Sequence, residues 1–245
     1  MRQLFDTWPR AFFESLESRC LLSAVEFVPP TPADGSTVAE AEVTVATDLP
    51  DPHHAFIDWD SDVVLWMGMD NVDGSGNPLD SSSHDNHGVI SGGAHQAAGG
   101  RHGDAFEFDG NDDYLTIAND TSLDFLEADS FSVSAWVYKL DTSEDMIVQK
   151  RCAWELRYHG AARYQFGVGG LYAYHNPPEP TNRWVHLVGV YDADEEKLEL
   201  YVDGTREFID HGAASDMRTG YDVTIGVNNW IGQDWTGKID DVLVV

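Results

Sequence analysis

The chain has 245 residues, with 43 Asp and Glu against 14 Lys and Arg, for a net charge of −29. Its 42% hydrophobic and 23% charged residues are ordinary values for a globular protein, which excludes disorder of the whole chain. A negative field makes nucleic acid and anionic membrane surfaces poor partners and attracts cations, of which Ca²⁺ suits carboxylate and carbonyl oxygens. No run approaches the ~18 apolar residues of a membrane span. Two cysteines, Cys20 and Cys152, cannot form a disulfide framework. With Cys20 in a leader, Cys152 is expected to be a lone buried thiol.

Residues 1–24 lack the uninterrupted apolar stretch of a secretory signal, because Glu14, Glu17 and Arg19 split Phe12-Phe13 from Leu21-Leu22. Alone they read as a short amphipathic helix. Residues 25–61 hold eight acids, no Lys or Arg and five of the ten prolines. Proline denies a ladder its donor and like charges repel, so this reads as an extended acidic linker. From Asp62 onward, short period-two runs alternate with Gly, Asn and Asp. Strands are expected near 63–69, 104–108, 113–117, 130–138, 145–150, 153–159, 163–174, 184–191, 198–202, 221–227 and 236–244. Asp203-Gly204 marks a tight hairpin. No segment sustains a 3.6-residue period. So many strands imply an all-β, two-sheet antiparallel sandwich over residues 62–245, since one sheet that wide would expose its apolar faces.

Several of these segments carry a resemblance. Leu65-Trp-Met-Gly-Met-Asp70, Asp80-Ser-Ser-Ser-His-Asp-Asn-His-Gly88, Phe106-Glu-Phe-Asp-Gly-Asn-Asp-Asp-Tyr114 and Phe131-Ser-Val-Ser-Ala-Trp136 follow one another. Trp184 to Asp192, Leu200 to Gly204, Ile225-Gly226 and Gly237 to Val242 complete the order. Together they resemble the laminin-G-like jelly rolls of the concanavalin A-like lectin/glucanase superfamily, with Ser83 where a Gly is usual. The resemblance implies a jelly-roll sandwich and a binding role. That family usually continues past its last strand, so the chain is expected to be part of a larger protein with further domains. Leu16-Glu-Ser-Arg-Cys-Leu-Leu-Ser-Ala24 resembles the L-E-x-R-x-L-L-S-A segment at the start of a family of bacterial extracellular proteins. This implies export, with processing near Ala24, to a secreted or cell-surface location.

In such jelly rolls the first and last strands are neighbours, and the corresponding positions often hold a structural Ca²⁺. The resemblance thus assigns Asp70 and Asp240 as carboxylate ligands, the Gly110 carbonyl as a third and Asn111 as a fourth. A hard cation needs six to eight oxygens, and a Gly carbonyl can approach it freely. The alternative is that these acids cap turns. His84, His87, His95 and His102 fall in a Ser/Gly/Asn-rich segment without Cys and read as solvated loop histidines. His186 reads as a packing residue.

The E-x-D-x-x-E motif of related jelly-roll glycosidases is absent. Glu127-Ala-Asp129 is the nearest start, and Asp192 to Glu196 lies at a hairpin tip. A catalytic residue is therefore not assigned. Sugar binding needs exposed aromatic faces beside groups that bond hydroxyls. Tyr172 and Tyr174, Asn229 with Trp230, and Arg157 are the candidates. Trp66, Trp136, Trp184 and Trp235 match core positions of the family.

The sequence thus points to an extracellular, non-catalytic binding module for a polysaccharide or surface glycoprotein, stabilised by Ca²⁺. A purely adhesive module of a larger surface protein is the chief competitor, and a glycoside hydrolase the third.

Overall fold

The computed structural model describes residues 26–28, 46–48 and 61–245, apart from 161, 162, 176, 177, 179 and 229. The helix and export segment expected within 1–24 lie outside the described residues. The chain divides into units of residues 1–56 and 57–245. In the first, Glu26–Val28 (β1) and Ala46–Asp48 (β2) pair antiparallel, within the segment read as an extended linker.

The second unit begins with Leu65–Met67 (β3), Gly88–Ser91 (β4), His95–Ala98 (β5), Asp104–Asp109 (β6) and Tyr114–Ile117 (β7). Phe131–Lys139 (β8), Asp145–Lys150 (β9), Trp154–His159 (β10), Arg163–Val168 (β11) and Leu171–Tyr174 (β12) follow. The remainder is Trp184–Asp192 (β13), Lys197–Val202 (β14), Thr205–His211 (β15), Val223–Ile225 (β16), Val227–Asn228 (β17), Gln233–Asp234 (β18) and Thr236–Val244 (β19). A seven-stranded sheet runs β12-β11-β10-β9-β16-β7-β4. An eight-stranded sheet runs β15-β14-β13-β8-β19-β6-β5, with β3 also on β19. All these pairings are antiparallel, and the two sheets form the expected jelly-roll sandwich.

The alternation in the sequence fills one apolar layer between the sheets. In β10, Trp154, Leu156 and Tyr158 are buried, while Glu155, Arg157 and His159 point outward. In β8, Val133, Ala135 and Val137 join the same core, with Leu187 from β13 and Phe166 from β11. The sheets meet tightly where the Phe166 ring covers Gly189. A Cβ at Gly189 would clash with the ring carbons, so only hydrogen fits.

Some expectations are corrected. The segment 163–174 is two strands, because Gly169 and Gly170 adopt φ of +50° and +88° and turn the chain. The Asp203-Gly204 turn has φ of +48° and +78°, the left-handed pair of a tight hairpin. The His-rich stretch is not all loop: it forms β4 and β5, and His95 lies on β5. His87 Nδ1 accepts from the Asp80 amide at 3.0 Å, and His102 Nδ1 lies 2.6 Å from Asp241 Oδ2. Cys152 is exposed, at φ +60° in the β9–β10 turn, rather than buried. Trp235 is fully buried and Trp136 nearly so, whereas Trp66 and Trp184 are partly exposed.

Trp136 faces away from the core, under the loop that precedes β6. The Arg101 guanidinium lies 4.5 Å from its ring, and His186 stacks on it at 4.7 Å. Burial lowers the His186 pKa to about 4, and its Nε2 lies 3.0 Å from Ser134 Oγ.

Two outcomes follow for stability. Gly189→Ala should lower stability by about 1–3 kcal/mol, the range for an overpacked core, read as a lower denaturation midpoint at unchanged m. An unchanged midpoint would mean that Phe166 moves aside freely. His186 gains its proton near pH 6.5 when unfolded but only near pH 4 when folded. Stability from the neutral ring is therefore complete above about pH 6.5 and declines toward pH 4, by up to about 3 kcal/mol. A His186→Gln variant should show a shallower acid loss in pH-dependent denaturation; an identical slope would place the titration elsewhere.

Candidate functional site

The outer face of the seven-stranded sheet is built by residues that the core leaves pointing away. Cross-strand register lines up Tyr172, Gly167, Glu155, Gln149, Thr224 and Thr116 in one rung from β12 to β7. At ~4.8 Å per strand, Tyr172 and Thr224 stand about 19 Å apart. The Tyr172 ring lies against Gly167: a Cβ there would sit 2.9 Å from Tyr172 Cδ1 and 3.2 Å from Glu155 Cγ. Tyr172 is 41% exposed, so its ring packs partly on the sheet and is partly open to solvent.

Polar groups flank this platform. Glu155 Oε1 accepts from Gln165 Nε2 at 3.1 Å and from Arg157 Nη1 at 3.5 Å. Burial raises the Glu155 pKa, and Arg157 opposes the rise. Burial, then the Glu155 charge, raises that of Tyr172. Glu144 Oε2 receives Arg157 Nη2 at 3.4 Å and Gln233 Nε2 at 3.2 Å, joining the sheet to the β17–β18 flap. The buried Arg157 Nε has no partner among the described residues. Tyr174 lies 6.3 Å from Tyr172 and 6.1 Å from His159, extending the aromatic row.

Trp230 lies on the loop between β17 and β18 and is 72% exposed. With Gln149, Arg151, Tyr221, Asp222, Thr224 and Asn228 it lines a cavity of about 170 Å³. Asn229 lies outside the described residues. The fold therefore brings Tyr172, Tyr174 and Arg157 onto one face, with Trp230 beside the far end of the same rung. Glu155, Gln149, Gln165 and Glu144 were not singled out by sequence. The polar positions of β10 alternate with its apolar ones and could have shown Glu155. Gln149 becomes a neighbour only through pairing between strands.

The four residues assigned to calcium separate. Asp70 Oδ1 accepts from the Asp104 amide at 2.7 Å, at the start of β6. Asp240 is fully buried on β19, where Oδ2 accepts from the amides of Arg101 and His102 and Oδ1 from that of Asp241. Burial, then the neighbouring Asp241, raises the Asp240 pKa to about 8. Gly110 and Asn111 lie past the other end of β6, where Asp109 pairs with Thr236. Five residues of strand, about 17 Å, separate the two ends. The sequence had treated them as one site, because strand direction within a sheet is not visible in a list of motifs. At the Gly110 end, carboxylate oxygens of Asp109, Asp112 and Asp113 lie within 4.8 Å of one another. Asp113 already accepts from the Gly93 and Asp109 amides, leaving Asp109 and Asp112 with the freer oxygens.

The acids weighed for catalysis have structural partners. Glu127 Oε1 accepts from the Met217 amide, and Asp129 Oδ2 from that of Leu126.

A similar architecture occurs in solved structures. The binding domain of Paraclostridial Mosquitocidal Protein 1 matches 76% of this chain and 49% of its own, with TM-score 0.59 and 13% identity. Domain 4 of AbnA, a GH43 extracellular arabinanase from Geobacillus stearothermophilus, in complex with arabinotriose, matches 74% of this chain and 91% of its own, with TM-score 0.56 and 20% identity. The botulinum neurotoxin serotype D binding domain matches 76% and 48%, with TM-score 0.57 and 12% identity. The chain spans about half the length of the two toxin binding domains. No curated protein matches the chain. Among the described residues, no helix is long and apolar enough to cross a membrane. The family model Laminin_G_3 matches residues 109–245, more than half of the sequence, so the chain belongs to the concanavalin A-like lectin/glucanases superfamily.

Proposed function

We propose that residues 62–245 form an exported, non-catalytic carbohydrate-binding module whose site is the outer face of the seven-stranded sheet. The observation that carries this reading is the partly exposed Tyr172 ring, packed against Gly167 beside the Glu155, Arg157 and Gln165 network. A flat ring held in place offers an apolar surface to sugar C–H groups without losing entropy on binding. The carboxylate, guanidinium and amides around it supply donors and acceptors for hydroxyls. The arabinotriose complex of the similar arabinanase domain supports a glycan ligand, and the segment ending at Ala24 supports export.

A glycan array followed by titration calorimetry tests the reading. Tyr172→Ala should weaken binding of the selected glycan about tenfold, or ~1.4 kcal/mol. Gly167→Ala should do the same by lifting the ring off the sheet, while leaving Tm nearly unchanged. Full affinity in both variants would remove this face from the site. Absence of any glycan ligand would favour an adhesive module.

Calcium is proposed as a stabilising ion. Millimolar CaCl₂ should raise Tm relative to EDTA, since an ion bound to the native state alone adds ~2.7 kcal/mol at one hundred times its Kd. Asp109→Asn should abolish that rise if the ion sits at the Gly110 turn, and Asp240→Asn if it sits at the other end of β6. Equal Tm in both solutions would dispose of the ion.

A further inference from the structure

Arg151, like Arg101 over Trp136, lies against aromatic rings rather than a carboxylate among the described residues. Its neighbour Lys150 is buried and paired with Asp124 at 2.8 Å, and Arg157, Arg183 and Arg206 each lie within 3.5 Å of a carboxylate oxygen. Arg151 has no such partner among the described residues. Instead its guanidinium carbon lies 4.3 Å from the Trp230 ring and 5.3 Å from that of Tyr221. The guanidinium lies over both rings, and Arg151 lines the cavity shared with Gln149, Thr224 and Asn228.

We infer that this cavity is a subsite for the carboxylate of a uronic acid residue in the glycan, with Arg151 as the reading group. The inference rests on the carbohydrate reading above and assigns its ligand class. Three physical points support it. A planar guanidinium bonds a carboxylate through two parallel N–H···O contacts, a geometry an ammonium cannot supply. Stacking on rings preorganises the fork without consuming its in-plane donors. The rung from Tyr172 through Gln149 to Thr224 leads to this cavity, so a chain lying on the tyrosine would extend toward Arg151.

Two features oppose an anion. Asp222 lines the same cavity, although one of its oxygens is engaged by the Asn119 amide at 2.8 Å. The net charge of −29 repels an anionic polymer at long range. At physiological ionic strength that field is largely screened beyond about 8 Å, so groups in direct contact decide the local preference.

The test is titration calorimetry in calcium-free buffer with oligogalacturonate, oligoglucuronate and oligoguluronate, each beside its methyl ester. The whole chain is used as wild type, Arg151→Gln, Arg151→Lys and Tyr172→Ala. At least one acid form should bind wild type at least tenfold more tightly than its ester. Arg151→Gln should erase that preference while retaining ester binding, and Arg151→Lys should restore it only in part. Thermal melts of the variants should match wild type, because Arg151 is exposed. Equal affinity for acid and ester, or a preference that survives Arg151→Gln, overturns the inference. If Tyr172-dependent binding of the esters persists in that case, the carbohydrate reading stands without it. A sulfated galactan that outcompetes every uronate through Arg151 overturns the carboxylate assignment. Failure of all acids and esters to bind, together with an empty glycan array, removes both.

Discussion

The register of β11 ties the interior of the sandwich to the outer face proposed for binding. Phe166 points inward and closes on Gly189 of the opposite sheet; Gly167 points outward and carries Tyr172. Gly189 has no room for a Cβ against the buried Phe166 ring, whereas a Cβ at Gly167 would push the partly exposed Tyr172 ring outward. A slip of one residue would place Phe166 in solvent and leave the ring of Tyr172 without its seat. The cores of β10 and β11 therefore hold the site as firmly as they hold the fold.

This coupling explains how a face made of polar side chains stays ordered. Glu155, Gln165 and Gln149 lie on adjacent central strands, where backbone pairing on both sides fixes their direction. The half-buried carboxylate of Glu155 is costly on its own, and the guanidinium of Arg157 offsets that cost. Glu144 then ties Arg157 to Gln233, so the flap bearing Trp230 is anchored to the same network. Preorganisation of this kind would reduce the entropy lost on binding the proposed glycan.

The opposite sheet is arranged differently. Part of its outer face is covered by the loop before β6, with Arg101 over Trp136 and His186 stacked beneath. The amides of that loop bond Asp240, beside an irregularity of β19 where Asp241 has φ +46°. The acids gathered there secure a loop against the sheet.

Composition and alternation alone determined the fold class, because each strand must hide one face and the chain has no 3.6-residue pattern to offer a helix. The Asp203-Gly204 turn and the outward direction of Arg157 were also local matters, set by backbone sterics and by period two. Tertiary structure decided which of these residues meet. Asp70 and Gly110 share neighbouring motifs but lie at opposite ends of β6, because a strand is straight and separates what it connects. Gln149 and Arg151 sit far in sequence from Tyr172 and Trp230, and only strand pairing sets them along one rung and one cavity. Such contacts depend on strand order and register, which follow from how the whole apolar layer packs rather than from any local signal.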